Sequence, residues 1–194
     1  MVGTILEKFT KMPIEIEKKY RLTEKQREEV RARLPEIGAK PEGEEFEINT
    51  LYTGDAIELG QAVLRLRRID DRAVLTYKER VGTRTDIKEQ LELETGLDNP
   101  DAIEFILEAL GYYPALVYEK RRETWRLGAT EIVVDELPFG LFMEIEGEEQ
   151  SIRDIESKLA IKRLIVEQLT YPRLTMKHGI NIAGVIEARF DQQK

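Results

Sequence analysis

Residues 63–69 read as a strand in alternation, with Leu64 and Leu66 on one side of an extended chain and Arg65 and Arg67 on the other. The pattern recurs. Glu15, Glu17 and Lys19 oppose Ile14 and Ile16; Thr76 and Lys78 oppose Leu75 and Tyr77; Lys88, Gln90, Glu92 and Glu94 oppose Leu91 and Leu93. Further on, Lys120, Arg122, Thr124 and Arg126 share a face, Val133 and Asp135 oppose Ile132 and Val134, and Glu144 and Glu146 oppose Met143 and Ile145. A half-buried strand hides its aliphatic face and wets its polar one, so a solvated strand is the simplest reading of any one segment. Repetition along the chain raises a further question: where the charged faces go when the strands assemble.

The helical segments constrain the answer. Thr23, with Gln26 as capping-box partner, predicts a helix start; Val30, Leu34 and Ile37 form its apolar stripe and Gly38 suits its end. Asn99-Pro100 opens a second helix with Ile103, Ile106, Leu107 and Leu110 as the buried stripe. Ser151 reads as the cap of a third, running to about residue 159, and further helical stretches are expected over 162–169 and 180–190. These stripes need an apolar partner. The economical fold is α+β: an antiparallel β-barrel of about eight strands, with helices packed outside against Ile16, Leu64, Leu66, Leu91, Leu93 and Ile145, and the charged faces turned into a lumen that holds one small ligand. The alternative is a set of solvated faces carrying cross-strand ion pairs, each worth little.

At 194 residues, with neither repeat nor Gly/Ser linker, one domain is expected over 13–170, after an N-terminal extension (1–12) and before a partly helical tail (171–194). The 30 basic and 38 acidic side chains leave a net charge of −8, which argues against a general nucleic-acid or membrane-surface binder but not against a local basic site. There is no cysteine for a disulfide, thiolate zinc site or thiol nucleophile, and the single His178 excludes any centre needing two histidines. No apolar run approaches the ~18 residues of a membrane span. Residues 1–11 show no signal-peptide pattern, so a cytoplasmic location is the expectation.

A lumen of this kind collects the cations Lys19, Arg65, Arg67, Lys78, Lys120 and Arg122, with Lys88 and Arg126 as further candidates. It collects the acids Glu15, Glu17, Glu92, Asp135, Glu144 and Glu146, with Glu94 as a further one. Arginine forks bind phosphate oxygens bidentately and lysine adds a compact charge. Carboxylates hold hard divalent cations such as Mg²⁺ or Mn²⁺. The mixture suits a polyphosphate–metal complex.

Glu15-Ile16-Glu17-Lys18-Lys19, followed in order by Leu64-Arg65-Leu66-Arg67, Thr76-Tyr77-Lys78, Lys120-Arg121-Arg122, Asp135 and Glu144-Ile145-Glu146, resembles the CYTH superfamily. These are the triphosphate tunnel metalloenzymes, named for class IV adenylyl cyclase and thiamine triphosphatase. The resemblance covers about residues 13–170 and implies an eight-stranded antiparallel tunnel flanked by helices. It implies Glu15, Glu17, Glu144 and Glu146 as ligands of Mg²⁺ or Mn²⁺ with Asp135 in the same metal site, and Arg65, Arg67, Lys78, Lys120 and Arg122 as the triphosphate clamp. Lys19 is then the catalytic lysine, binding phosphate or helping to activate water. The partner implied is a small-molecule triphosphate, with a homodimer by analogy. Two departures stand out: Lys88-Glu89-Gln90 replaces an Arg-Glu-Glu pattern, leaving Glu92 as the clear inward acid there, and residues 49–55 lack the usual Asp-rich pattern. The first expectation is a metal-dependent triphosphatase, with water attacking the terminal phosphoryl of inorganic triphosphate, thiamine triphosphate or a nucleoside triphosphate. The second is a class IV adenylyl cyclase, making cyclic AMP and pyrophosphate. The third is a non-catalytic polyphosphate-binding module, against which the paired acids weigh, since anion capture needs no metal ligands.

Overall fold

Tight turns set the strand pairing. Asp70, in the left-handed region at φ 49°, joins β3 (Ala62–Ile69) to β4 (Arg72–Arg80), and Gly128 at φ 61° joins β6 (Tyr113–Leu127) to β7 (Thr130–Leu137). A computed structural model describes residues 14–55, 57, 62–80, 88–161 and 163–190. The expected extension 1–12 and loop 81–86, with most of the connection around 54–60, lie outside these residues. With β1 (Ile14–Leu22), β2 (Lys40–Thr53), β5 (Lys88–Leu97) and β8 (Gly140–Glu146), the strands run in the order β6-β2-β3-β4-β5-β1-β8-β7 and close through β7 onto β6. Every pairing in this circuit is antiparallel, so the barrel is an eight-stranded antiparallel one, as expected.

Residues paired side by side face the same way, and the registers therefore test which faces point inward. Glu17 and Lys19 stand beside Glu146 and Glu144 of β8, which stand beside Glu131 and Val133 of β7. Asp135 is beside Arg122; Lys120 and Tyr118 are beside Glu47 and Asn49; Asn49 is beside Arg67. Arg65 faces with Thr76, Thr76 and Lys78 with Glu94 and Glu92, and Gln90 with Glu15, which closes the circuit on the charged side.

The aliphatic faces are covered from outside. Ile132, Val134, Met143 and Ile145 pack with Val30 and Leu34 of α1 (Glu24–Glu36) and Ile152, Ile155 and Leu159 at α3 (Glu149–Lys158). Leu64, Leu66 and Ala73 pack with Leu107 of α2 (Pro100–Ala109). Both halves of the Thr23–Gln26 capping box form. The α2 stripe is narrower than expected. Leu107 is buried and Ile103 packs beside it, whereas Ile106, about 100° round the helix from Leu107, is 51% exposed and Leu110, the C-cap residue past the last turn, is 68% exposed.

Three local expectations are corrected. Glu148, not Ser151, is the N-cap of α3, since the strand stops at Glu146 and the chain turns at Gly147. In the expected helix over 162–169, the described residues 163–169 are not helical: β1 leaves β5 after Glu17, and β9 (Ile165–Val166) satisfies the edge thus exposed at Tyr20 and Arg21. Residues 180–190 are not a helix but a hairpin, β10 (Ile180–Ile182) and β11 (Val185–Ala188), turned by Ala183 and Gly184 at φ 51° and 94° and joined in parallel to β6.

One end of the lumen is apolar. Leu51, Leu116, Tyr118, Leu137 and Phe142 meet there, and α4 (Tyr171–His178) lies across them through Tyr171 and Leu174. Among the described residues the barrel is therefore a cup, its polar interior approached from the opposite end. Leu174→Ala should lower unfolding free energy by about 2–5 kcal/mol, the range for a buried leucine that leaves a cavity. Urea titration measures it, and an unchanged midpoint would mean that α4 is not seated in the barrel.

Candidate active site

The charged faces surround a solvent-connected cavity of about 690 Å³, open solvent at its mouth included. Lys19, Arg65, Arg67, Lys78, Lys120 and Arg122 line it, as do Glu15, Glu17, Glu144 and Glu146. Lys88 begins β5 opposite Glu17, but its side chain lies outside the described residues. Arg126 sits at the rim, paired with Glu42 at 3.1 Å and Glu131 at 2.6 Å. Glu92 pairs with Lys78 at 2.8 Å.

The cationic side is organised by a residue that the sequence reading passed over. Glu47 is fully buried. Its carboxylate lies 3.1 Å from Lys120 Nζ and 3.4 Å from Arg67 Nε, and it accepts a 3.1 Å hydrogen bond from Asn49 Nδ2. Burial alone would raise its pKa; Lys120, Arg67, Arg122 and Arg65 together hold it far below the usual carboxylate range. Lys120 is also lowered, to about 8, by burial and by the charge of Arg122, against the pull of Asp135 and Glu47. The available signal was the period of two: Glu45, Glu47 and Asn49 share one strand face, next to strands rich in arginine.

Asp135 stands behind the clamp. Arg122 donates to both its oxygens, at 2.8 and 2.6 Å, and Tyr171 Oη donates to Oδ2 at 2.7 Å. Arg122 also reaches Glu144 at 2.8 Å, and Lys19 Nζ lies 3.1 Å from the other Glu144 oxygen. Arg65 donates to Thr76 Oγ1 at 3.2 Å, while its buried Nε has no hydrogen-bond partner among the described residues.

The acidic side is crowded. Glu15 accepts from Lys78 at 2.6 Å and shares hydrogen bonds with Glu92 and Glu146. Burial, together with the nearby Glu15, pushes Glu92 and Glu146 above the carboxylate range. Burial also acts on Glu15, but the hydrogen bond from Glu92 and the charge of Lys78 draw it down. Carboxylates that share protons in this way suit a divalent cation, which would replace the protons as the compensating charge. Among the described residues, no three acidic side chains already converge at ligand spacing. Val63, Gln90, Tyr118, Glu131, Val133, Thr170, Tyr171 and Pro172 complete the lining; of these, the strand alternation places Gln90 and Val133 on the polar faces, and the others were not expected as site residues.

The family model for the CYTH domain matches residues 13–178. Among solved structures, a Pyrococcus horikoshii protein superposes with a TM-score of 0.73 at 25% identity, covering 82% of this chain and 98% of its own. A Vibrio parahaemolyticus protein described as an adenylate cyclase candidate gives 0.66 at 22% identity, over 84% of this chain and 98% of its own. A Hippeastrum adenylyl cyclase candidate, described as revealing a dominant triphosphatase activity, gives 0.64 at 18% identity, over 89% and 99%. The last two likenesses show the fold alone. No curated protein sequence matches the chain.

Glu47 carries the charge balance of the clamp. Replacing it by glutamine keeps the shape and leaves Lys120, Arg67 and Arg122 without their shared counter-charge. At neutral pH Glu47→Gln should cost about 3–5 kcal/mol of unfolding free energy. A depressed folded pKa stabilises the protein above the ordinary value of 4.5, and that stabilisation is lost as the pH falls through the folded value. The gap between wild type and variant should therefore narrow below about pH 4. Denaturant titrations at several pH values measure this; a gap independent of pH would rule out the charge as its cause.

Proposed function

The chain belongs to the CYTH domain family, and on that basis we propose that it hydrolyses a small triphosphate with a divalent metal, water attacking the terminal phosphoryl. Enzymes of this family are triphosphatases or cyclases and depend on a divalent metal. The observation that carries the reading is the shared cavity: Arg65, Arg67, Lys78, Lys120 and Arg122 line the same space as Glu15, Glu17, Glu144 and Glu146. A site for a simple anion would need the cations alone.

Glu15, Glu17, Glu144 and Glu146 would hold Mg²⁺ or Mn²⁺, which would supply positive charge against the charge that develops in phosphoryl transfer. Asp135 keeps the Arg122 fork flat and aimed, and Glu47 does the same for Lys120 and Arg67. The unpartnered Arg65 Nε is a ready donor to a phosphate oxygen. Lys19 supplies a further positive charge beside Glu144. Phosphoryl transfer asks for positioning and charge stabilisation above all, and a rigid barrel interior offers both.

The purified protein, given each triphosphate with Mg²⁺ or Mn²⁺, should release phosphate and make no cyclic AMP from ATP. Cyclic AMP with stoichiometric pyrophosphate would instead make it a cyclase. Arg122→Ala should lower kcat/KM roughly 10–100-fold, the worth of a lost charge-assisted fork.

Glu15→Gln and Glu17→Gln should abolish metal-dependent turnover and leave the fold intact. Ligands that bind only the folded state raise its stability, by about 2.7 kcal/mol at a hundred times Kd. Mn²⁺ plus triphosphate should therefore raise the melting temperature of the wild type and raise that of the variants much less. Equal shifts in all three proteins would remove these acids from the site.

A further inference from the structure

The chain that follows α3 runs along the free edge of β1 beside Lys19. Ile165 and Val166 pair with Arg21 and Tyr20, and the Glu167 N–H donates to the Lys19 carbonyl at 2.9 Å. The Leu169 N–H is held by the Glu167 side chain at 3.0 Å. This run delivers Tyr171, the first residue of α4, beneath the Lys19 side chain. Lys19 Nζ lies 3.6 Å from the centroid of the Tyr171 ring and 3.5 Å from the Leu169 carbonyl oxygen. The ring is fixed: Tyr171 is only 6% exposed, its hydroxyl is tied to Asp135, and it packs edge-on against Phe142 at 5.4 Å and 75°.

We propose that Tyr171 is a positioning residue for Lys19: its ring face, seated against Phe142, holds the lysine ammonium at the cavity wall. The effect on turnover rests on the triphosphatase reading above. Lysine carries its charge on a flexible four-carbon stem, and the carboxylate in direct contact with it is Glu144, with Glu167 acting from farther off. Glu144 holds the ammonium at 3.1 Å, but from one side only. The ring face and the carbonyl are uncharged. They attract the ammonium without cancelling its charge, so it stays in place and remains positive toward an incoming phosphoryl oxygen. A segment that looks like a trailing tail in the sequence thereby completes the reactive end of the site.

Two variants and one spectrum test this. Tyr171→Phe keeps the ring face and should hold kcat within about threefold of wild type. Tyr171→Met fills the space with no π face and should lower kcat roughly ten- to thirtyfold, with KM changed less than threefold. A merely structural role would instead lower the melting temperature, and its loss of kcat would disappear once the rate is divided by the titrated concentration of folded, active protein. Independently of turnover, the ring should displace the Lys19 ε-methylene proton signals upfield in the NMR spectrum. The signals are assigned by their loss in Lys19→Arg, and they should stay displaced in Tyr171→Phe and return in Tyr171→Met. Undisplaced signals in wild type would overturn the proposal, as would wild-type kcat in Tyr171→Met or an equal loss of kcat in the Phe variant. If the wild type turned over no triphosphate, the hydrolase reading would fail, and the positioning of Lys19 would be decided by the spectrum alone.

Discussion

Opposite charges confined in one barrel have to neutralise each other, and the remaining features follow from how they do so. An isolated ion in a buried position loses several kcal/mol of hydration. The interior therefore tolerates Lys120, Arg67 and Arg122 only because Glu47 and Asp135 are placed among them. Nothing in a small aliphatic core would need such a network. Its presence inside the barrel means that the packing energy of the fold comes from elsewhere, namely the outer faces of the strands against α1, α2 and α3.

That division of labour frees the interior for chemistry. Glu144 sits between Lys19 and Arg122, Glu15 beside Lys78, and both lie on the cavity wall. Two classes of charge can be told apart. Glu47 and Asp135 are fully buried and act as fixed anchors behind the cations. Glu15, Glu144 and Glu146 face the cavity, where a metal and a polyphosphate would compete for the partners they now hold. A ligand would thus exchange one set of ion pairs for another, with little movement of the barrel.

The two ends of the lumen differ for the same reason. The apolar inner residues Leu51, Leu116, Leu137 and Phe142 need covering, and α4 covers them. Its first turn then becomes a wall of the polar cavity, through Tyr171 and Pro172. A hydrophobic seal at one end and a charged approach at the other orient whatever enters.

Much of this was legible in the sequence. Alternation with a period of two is local, and it assigned Arg65, Arg67, Lys78, Lys120, Arg122, Glu15, Glu17, Glu144 and Glu146 to the strand faces on which the structure has them. The need of amphipathic helices for an apolar partner turned those faces inward. What the sequence by itself determined, then, was the inside and the outside of the barrel, because side-chain direction on a strand and stripe position on a helix depend only on near neighbours. The partner of each charge was decided by the tertiary structure. Glu47 meets Lys120 through the β2–β6 register, and Tyr171 reaches Lys19 only because β1 parts from β5 and leaves an edge for residues 165–167. The final hairpin, mistaken for a helix, likewise takes its form from the edge of β6 that receives it. Register, closure and free edges are properties of the assembled sheet, and no period along the chain encodes them.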